Sequence, residues 1–141
     1  MAKITLQGNK IHTNDDLPKT GKKAPDFNLV NKDLQDVSLG DYKGRKLLLN
    51  IVPSLDTGVC ATSTKKFNEL VANRDDVTVL IVSADLPFAQ SRFCAAENVD
   101  KVVTLSMMRD RKFAKDYGVL IEGELTLHLD DGETCVLKPG E

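Results

Sequence analysis

Apolar and polar positions alternate weakly at the start of the chain, with Ile4 and Leu6 answered by Ile11 and Thr13 across Gly8-Asn9. A period of two broken by a glycine turn predicts a short hairpin, followed by a polar connector from Asn14 to Lys23. Ala24 to Val30 reads as a short strand entered through Pro25, and Val37-Ser38-Leu39 begins a segment that closes at Tyr42-Lys43-Gly44. Lys46 to Val52 is a largely apolar run ended by Pro53, the pattern of a strand buried on both faces. Cys60 to Ala72 changes to a helical period, with Phe67, Leu70 and Val71 on one face and Lys65, Lys66 and Glu69 elsewhere. Val77 to Val82 is a second buried strand, rich in β-branched residues. Pro87 to Glu97 reads as a helix with proline in its first turn, Val102 to Leu105 as a third strand, and Arg111 to Tyr117 as a short helix stopped by Gly118. This alternation predicts a parallel α/β sheet. Leu125 to Leu137 then reads as a second hairpin, turning at Asp130-Asp131-Gly132-Glu133.

The chain has 141 residues, 41% hydrophobic and 28% charged, which predicts a soluble domain whose core needs no disulfide staples. The net charge of −2, with signs mixed along the chain, leaves no basic footprint for nucleic acid and no polybasic membrane anchor. No apolar run approaches a membrane span, and the opening residues lack the apolar stretch of a signal peptide. The expected compartment is the cytoplasm, where thiols stay reduced. The three cysteines are too few for a disulfide scaffold and form no C-x-x-C pair, so they are either inert core thiols or reactive ones.

Pro53, Thr57 and Cys60 lie where a buried strand feeds a helix, a position favoured for active groups in open α/β sheets. A cysteine in the first helical turn meets free backbone N–H groups and the helix dipole, which stabilise the thiolate. The thiolate is the form that attacks a peroxide bond. Thr57 can bring its hydroxyl towards the sulfur, and Pro53 offers a rigid wall without an N–H. A buried structural cysteine after a turn is equally compatible with this position. Cys94 lies on the helix that carries Phe88 and Phe93, where a core thiol is the plainer reading.

The segment Pro53-Ser-Leu-Asp-Thr57-Gly-Val-Cys60 resembles the P-x-x-x-T-x-x-C motif of peroxiredoxins. Ser83-Ala-Asp-Leu-Pro-Phe-Ala-Gln, Arg92-Phe-Cys94-Ala-Ala-Glu and Phe113-Ala-Lys-Asp-Tyr-Gly-Val are similar to the bacterial thiol peroxidases, the atypical two-cysteine branch of that family. The likeness runs from about residue 3 to about residue 121. It implies a thioredoxin-like fold over 1–121 and a thiol-dependent peroxidase acting on hydrogen peroxide and organic hydroperoxides. Cys60 would be oxidised to a sulfenic acid, Thr57 would orient the peroxide and Pro53 would shield the sulfur. Cys94 would close an intramolecular disulfide that thioredoxin reduces. The resemblance also implies a homodimer, and no cofactor or metal.

Two departures stand out. The family carries an activating arginine beyond the matched region, whereas this chain has none after Arg111; Glu124 falls near its place, and nothing in the motif assigns Arg109 or Arg111 to the role. Residues 122–141 look weakly like a cupin strand pair, as part of the same domain or a foreign fragment. His128 lacks the partners of a metal site and Cys135 matches no family position. The alternative function is an impaired thioredoxin-like redox-sensing or binding module, and the tail suggests a truncated, fused or composed chain.

Overall fold

Strands and helices alternate through the middle of the chain as the apolar pattern predicts. The computed structural model describes residues 3–6, 8–12, 16–118, 125–128 and 134–137. In chain order the elements are β1 (Lys3–Leu6), β2 (Asn9–His12), β3 (Asn28–Val30), β4 (Asp36–Ser38), β5 (Lys46–Ile51), α1 (Gly58–Val71), β6 (Val77–Ser83), α2 (Pro87–Glu97), β7 (Val103–Ser106), α3 (Lys112–Tyr117), β8 (Leu125–His128) and β9 (Thr134–Leu137). A 3₁₀ turn, Leu39–Tyr42, follows β4. The chain divides into two compact units, Asp26–Arg111 and Met1–Pro25 with Lys112–Glu141.

The unit Asp26–Arg111 is built on a five-stranded sheet of order β4-β3-β7-β6-β5. Strands β5, β6 and β7 run parallel because each is joined to the next by a helical crossover. β3 pairs antiparallel with both β7 and β4, so the sheet is mixed and not wholly parallel. β6, between β7 and β5, is the most deeply covered stretch: Val79, Leu80, Ile81 and Val82 are at most 1% exposed. β5 departs from expectation. It is half-buried and lies at an edge of the sheet among the described strands. An apolar run reports a strand's own tendency to be covered; it does not report whether a further strand lies beside it.

The core cluster is Val52, Leu55, Val79 and Ile81, with Cys60, Phe67 and Val71 of α1 and Phe93 of α2 packed against it. On α1 the covered stripe is Cys60, Thr64, Phe67 and Val71, spaced i, i+4, i+7 and i+11. Leu70 falls off that stripe and is 58% exposed, contrary to the face expected from the sequence. Helix α2 begins with proline at its head and ends on Asn98 in the left-handed conformation, where the Val99 N–H donates to the Cys94 carbonyl at 2.9 Å. Its inward aromatic is Phe93 alone; Phe88 is exposed.

Helix α2 also turns a polar side chain inwards. Gln90 is fully buried, and its Nε2 donates to Ser83 Oγ and to the Leu105 carbonyl, both at 2.9 Å. The amide thus ties the helix to the ends of β6 and β7.

In the other unit β1 and β2 form the expected hairpin, Lys3 opposite His12, with Gly8 turning at φ +86°. β8 and β9 form the second, Leu125 opposite Leu137. His128 stands opposite Thr134 and Cys135 opposite Leu127 in that ladder; their side chains, and Glu124 altogether, lie outside the described residues. In α3 the rings of Phe113 and Tyr117 stack at 4.4 Å, and Tyr117 Oη donates to the Pro25 carbonyl at 2.6 Å. Gly118 ends α3 at φ +71°, a left-handed conformation that glycine adopts without strain. Among the described residues no helix is long and apolar enough to cross a membrane.

Replacing Gln90 with glutamate sets an oxygen against the Leu105 carbonyl in place of a donor. Gln90→Glu is expected to cost about 2–4 kcal/mol near neutral pH. Burial beside an acceptor raises a carboxyl's pKa in the folded state, so stability is retained below the unfolded carboxyl range and lost as pH rises through the raised value. Urea midpoints at about pH 5 and about pH 7.5 check this; a pH-independent loss would contradict it.

Candidate active site

The site grows from the carboxyl ends of β5 and β6. The Val52 N–H donates to the Val82 carbonyl at 2.9 Å, extending the parallel ladder one residue past β5. Pro53 has no N–H to continue it, but its carbonyl accepts the Ala84 N–H at 3.2 Å. The Pro53 peptide is trans and its ring is exposed.

Beyond Pro53 the loop is held by side chains. Asp85 Oδ1 accepts from Ser54 Oγ at 2.6 Å, while Oδ2 accepts from the Leu55 N–H and from Ser83 Oγ, both at 2.8 Å. The Asp85 carbonyl accepts from Ser106 Oγ at 2.5 Å. Ser83 has one hydroxyl hydrogen and gives it to Asp85, so towards Gln90 it acts as acceptor. Donors thus converge on the Asp85 carboxylate from both sides, from α2 through Ser83 and from the loop through Ser54 and Leu55. Within the loop Ser54 Oγ accepts the Asp56 N–H at 3.1 Å, and Leu55 is buried as the apolar anchor.

Thr57 is the N-cap of α1, with extended backbone at φ −112° and ψ 142°. Its hydroxyl donates to the Ser54 carbonyl at 3.0 Å and makes no side-chain cap on the helix. The first helical hydrogen bond is Ala61 N–H to the Thr57 carbonyl, 2.9 Å. The N–H groups of Gly58, Val59 and Cys60 therefore precede the helical ladder, and Cys60 is the third residue of the helix. Cys60 is half-buried, with Leu55 and Phe93 in the apolar cluster it packs against. Its carbonyl accepts from Ser63 Oγ at 3.0 Å, and Ser63 Oγ accepts from Asn50 Nδ2 at 3.3 Å. The sequence motif and the geometry thus agree that Pro53, Thr57 and Cys60 share one loop–helix junction.

Cys94 lies on α2 beside Thr104 of β7. Burial pushes its thiol above the ordinary value, while the Thr104 hydroxyl and the Lys32 ammonium act in the opposite direction. The register sets Asn50, Ile81 and Thr104 in one row across β5, β6 and β7, with side chains on one face. Helix α1 is tied to this row at Asn50 and Cys94 meets it at Thr104, so both cysteines face the same side of the sheet. Both are free thiols.

Ser54, Asp85 and Gln90 are absent from the site residues expected from the motif. Asp85 and Gln90 sit inside the Ser83–Gln90 segment that resembles the family, which was the available signal. A cleft of about 350 Å³ opens beside the loop, lined by Ser54, Leu55, Asp85, Arg92 and Phe93 among others. Arg109, a candidate for the missing activating cation, is engaged elsewhere: its Nη1 lies 3.0 Å from Asp36 Oδ1 and 3.4 Å from the Leu34 carbonyl. Among the described residues, no three histidine, cysteine or carboxylate side chains gather as a metal site.

The Redoxin family model matches residues 19–130. The chain is 51% identical over 123 residues to a thiol peroxidase of Corynebacterium glutamicum, covering 87% of this chain and 74% of that protein. It is 50% identical over 122 residues to a thiol peroxidase of Staphylococcus haemolyticus, covering 86% and 74%. A solved peroxiredoxin-like protein from Aquifex aeolicus superposes with a TM-score of 0.74 at 39% identity, over 97% of this chain and 85% of that one. A thiol peroxidase from Chromobacterium violaceum, at 18% identity and a TM-score of 0.72 over 97% and 85%, shares the fold. With half of its residues identical to proteins of that kind over most of its length, the chain belongs to the Redoxin family and, within it, to the thiol peroxidases.

Proposed function

We propose that this enzyme reduces hydrogen peroxide and organic hydroperoxides through Cys60, with Cys94 as the resolving thiol and thioredoxin as the reductant. The observation that carries the reading is the start of α1: a cysteine at its third residue, within an uncapped first turn and three residues after the Thr57 hydroxyl. The N–H groups that precede the helical ladder and the helix dipole make this end of α1 a setting for negative charge. The Thr57 hydroxyl spends its hydrogen on the Ser54 carbonyl, which leaves its lone pairs to accept from the O–H of a peroxide.

The Cys60 thiolate attacks one peroxide oxygen and the O–O bond breaks. Sulfur keeps that oxygen as Cys60–SOH, and the other oxygen takes a proton and leaves as water or an alcohol. The Cys94 sulfur then bonds to Cys60, its proton leaving with the hydroxyl as water. A thioredoxin dithiol reduces the disulfide by exchange, giving up two electrons. A disulfide needs Cα atoms within about 7 Å. Cys60 is packed on the core cluster at the head of α1 and Cys94 lies by Thr104 on α2, and we propose that the exposed first turn of α1 unwinds to join them.

We assign residues 1–121 to the peroxiredoxin domain, with 122–141 as an atypical tail, and the cytoplasm as the compartment. A homodimer is supported by apolar exposure around the site: Val59 is 83%, Leu86 52% and Phe88 64% exposed, at the heads of α1 and α2. An impaired redox module is the second reading, favoured by the engagement of Arg109 with Asp36.

Cys60→Ser is expected to abolish peroxide consumption and leave the fold intact, checked by a thioredoxin-coupled assay and circular dichroism; undiminished turnover would overturn the assignment. For Cys94, a thiol raised by burial supplies stability below the ordinary thiol range that is lost as pH rises through the raised value. In a Cys60→Ser background, adding Cys94→Ser should remove part of the fall in urea midpoint between about pH 7 and pH 10. Equal slopes with and without the thiol would contradict the burial argument. With the family's arginine missing, peroxide attack should run about 100- to 1,000-fold below that of a complete family member. Stopped-flow rates of this chain and a Glu124→Arg variant test that; full speed in the parent would refute it.

A further inference from the structure

We infer that Asp85 is a positioning residue, a latch that keeps the Ser54–Thr57 loop and the first turn of α1 wound for peroxide attack, and whose hold on the loop limits how fast Cys60 can leave for Cys94. The inference rests on the peroxidase reading above.

Nothing in the family motif assigns a role to this carboxylate, yet the loop before Cys60 hangs on it. Two loop donors, Ser54 Oγ and the Leu55 N–H, end on its two oxygens at 2.6 and 2.8 Å. The opposite side is anchored. Ser83 Oγ donates to the same carboxylate, Gln90 donates to Ser83, and Ser106 donates to the Asp85 carbonyl. Ser83, Gln90 and Ser106 are fully buried. The strand side of the latch is thus immobile, and only the loop side can let go.

The segment between latch and nucleophile is weakly held by itself. Asp56, Thr57, Gly58 and Val59 are exposed, so unwinding them sacrifices little apolar burial. The turn has no side-chain cap, and its ties beside the helical ladder include Thr57 Oγ1 to the Ser54 carbonyl, Ala61 N–H to the Thr57 carbonyl, Thr62 Oγ1 to the Gly58 carbonyl and Asp56 N–H to Ser54 Oγ. The first of these depends on Ser54, which Asp85 fixes. Releasing Asp85 frees the Ser54 side chain and the carbonyl that orients Thr57 together. The same contact therefore favours the wound turn that activates Cys60 and opposes the unwound turn that the disulfide needs.

The test uses Asp85→Asn and, as a milder variant, Ser54→Ala. Asparagine keeps one acceptor oxygen for three donors; Ser54→Ala removes a single donor and leaves the carboxylate. Amide hydrogen exchange of the reduced proteins is read first, because it requires no peroxide. Residues 55–61 are expected to exchange on the order of tenfold faster in Asp85→Asn, and less so in Ser54→Ala, while Val79–Val82 of β6 keep their protection. In rapid-quench experiments peroxide attack should slow, disulfide formation after oxidation should accelerate, and the share of Cys60 over-oxidised at high peroxide should fall. A merely structural role would lower protection in β6 and the loop together and slow both steps. Unchanged exchange at 55–61, or loss of protection everywhere, overturns the latch. Wild-type protein that consumes no peroxide would sink the peroxidase reading alone, and the exchange arm would still decide on Asp85.

Discussion

Where parallel strands end, the backbone loses its ladder partners, and the groups that emerge must be satisfied by something else. At the ends of β5 and β6 one carboxylate answers this demand. Asp85 takes two hydroxyl hydrogens and one backbone N–H, and forms no ion pair among the described residues. A half-buried carboxylate held by neutral donors is sensitive to the loss of any one of them, since an unmatched polar group in such surroundings costs more than a paired one gains. The loop before α1 hangs on that satisfied cluster, which Gln90 of α2 secures through Ser83.

The two readings of Cys60 open at the sequence level turn out to be compatible. It is the N-terminal member of the stripe Cys60, Thr64, Phe67 and Val71, so it packs as a core residue does. It is also at the end of the helix where N–H groups have no intrahelical partner. Packing limits the rotamers of the sulfur, and the helix terminus supplies its electrostatics. A thiol held at such a junction is preorganised in a way a loop cysteine is not.

Much of this architecture was legible because buried strands and amphipathic helices carry periodic signals. β6, α2 and β7 fall within a residue of their expected bounds. What failed had no periodic signal. The edge position of β5 depends on which strands neighbour it, and the outward turn of Leu70 and Phe88 depends on where each helix meets the sheet. β3 was read as a strand and β4 only as part of a segment, and the antiparallel direction of both is not written in hydropathy. The motif drew attention to Pro53, Thr57 and Cys60. Asp85 and Ser54 act through hydrogen bonds across about 30 residues of chain, and no local pattern announces such pairs.

The unequal surroundings of the two thiols also order the proposed chemistry. Burial pushes the Cys94 thiol up against the opposing pull of the Thr104 hydroxyl and Lys32, which disfavours its nucleophilic form while it stays covered. Cys60 packs against the cluster that holds Leu55 and Phe93, two residues that also line the cleft. In the proposed cycle peroxide meets the Cys60 sulfur first, and Cys94 reacts only once that sulfur, as a sulfenic acid, is brought to it. In that proposed cycle the two thiols are kept apart by position while the start of α1 stays wound, which makes its unwinding the switch between one half of the cycle and the other.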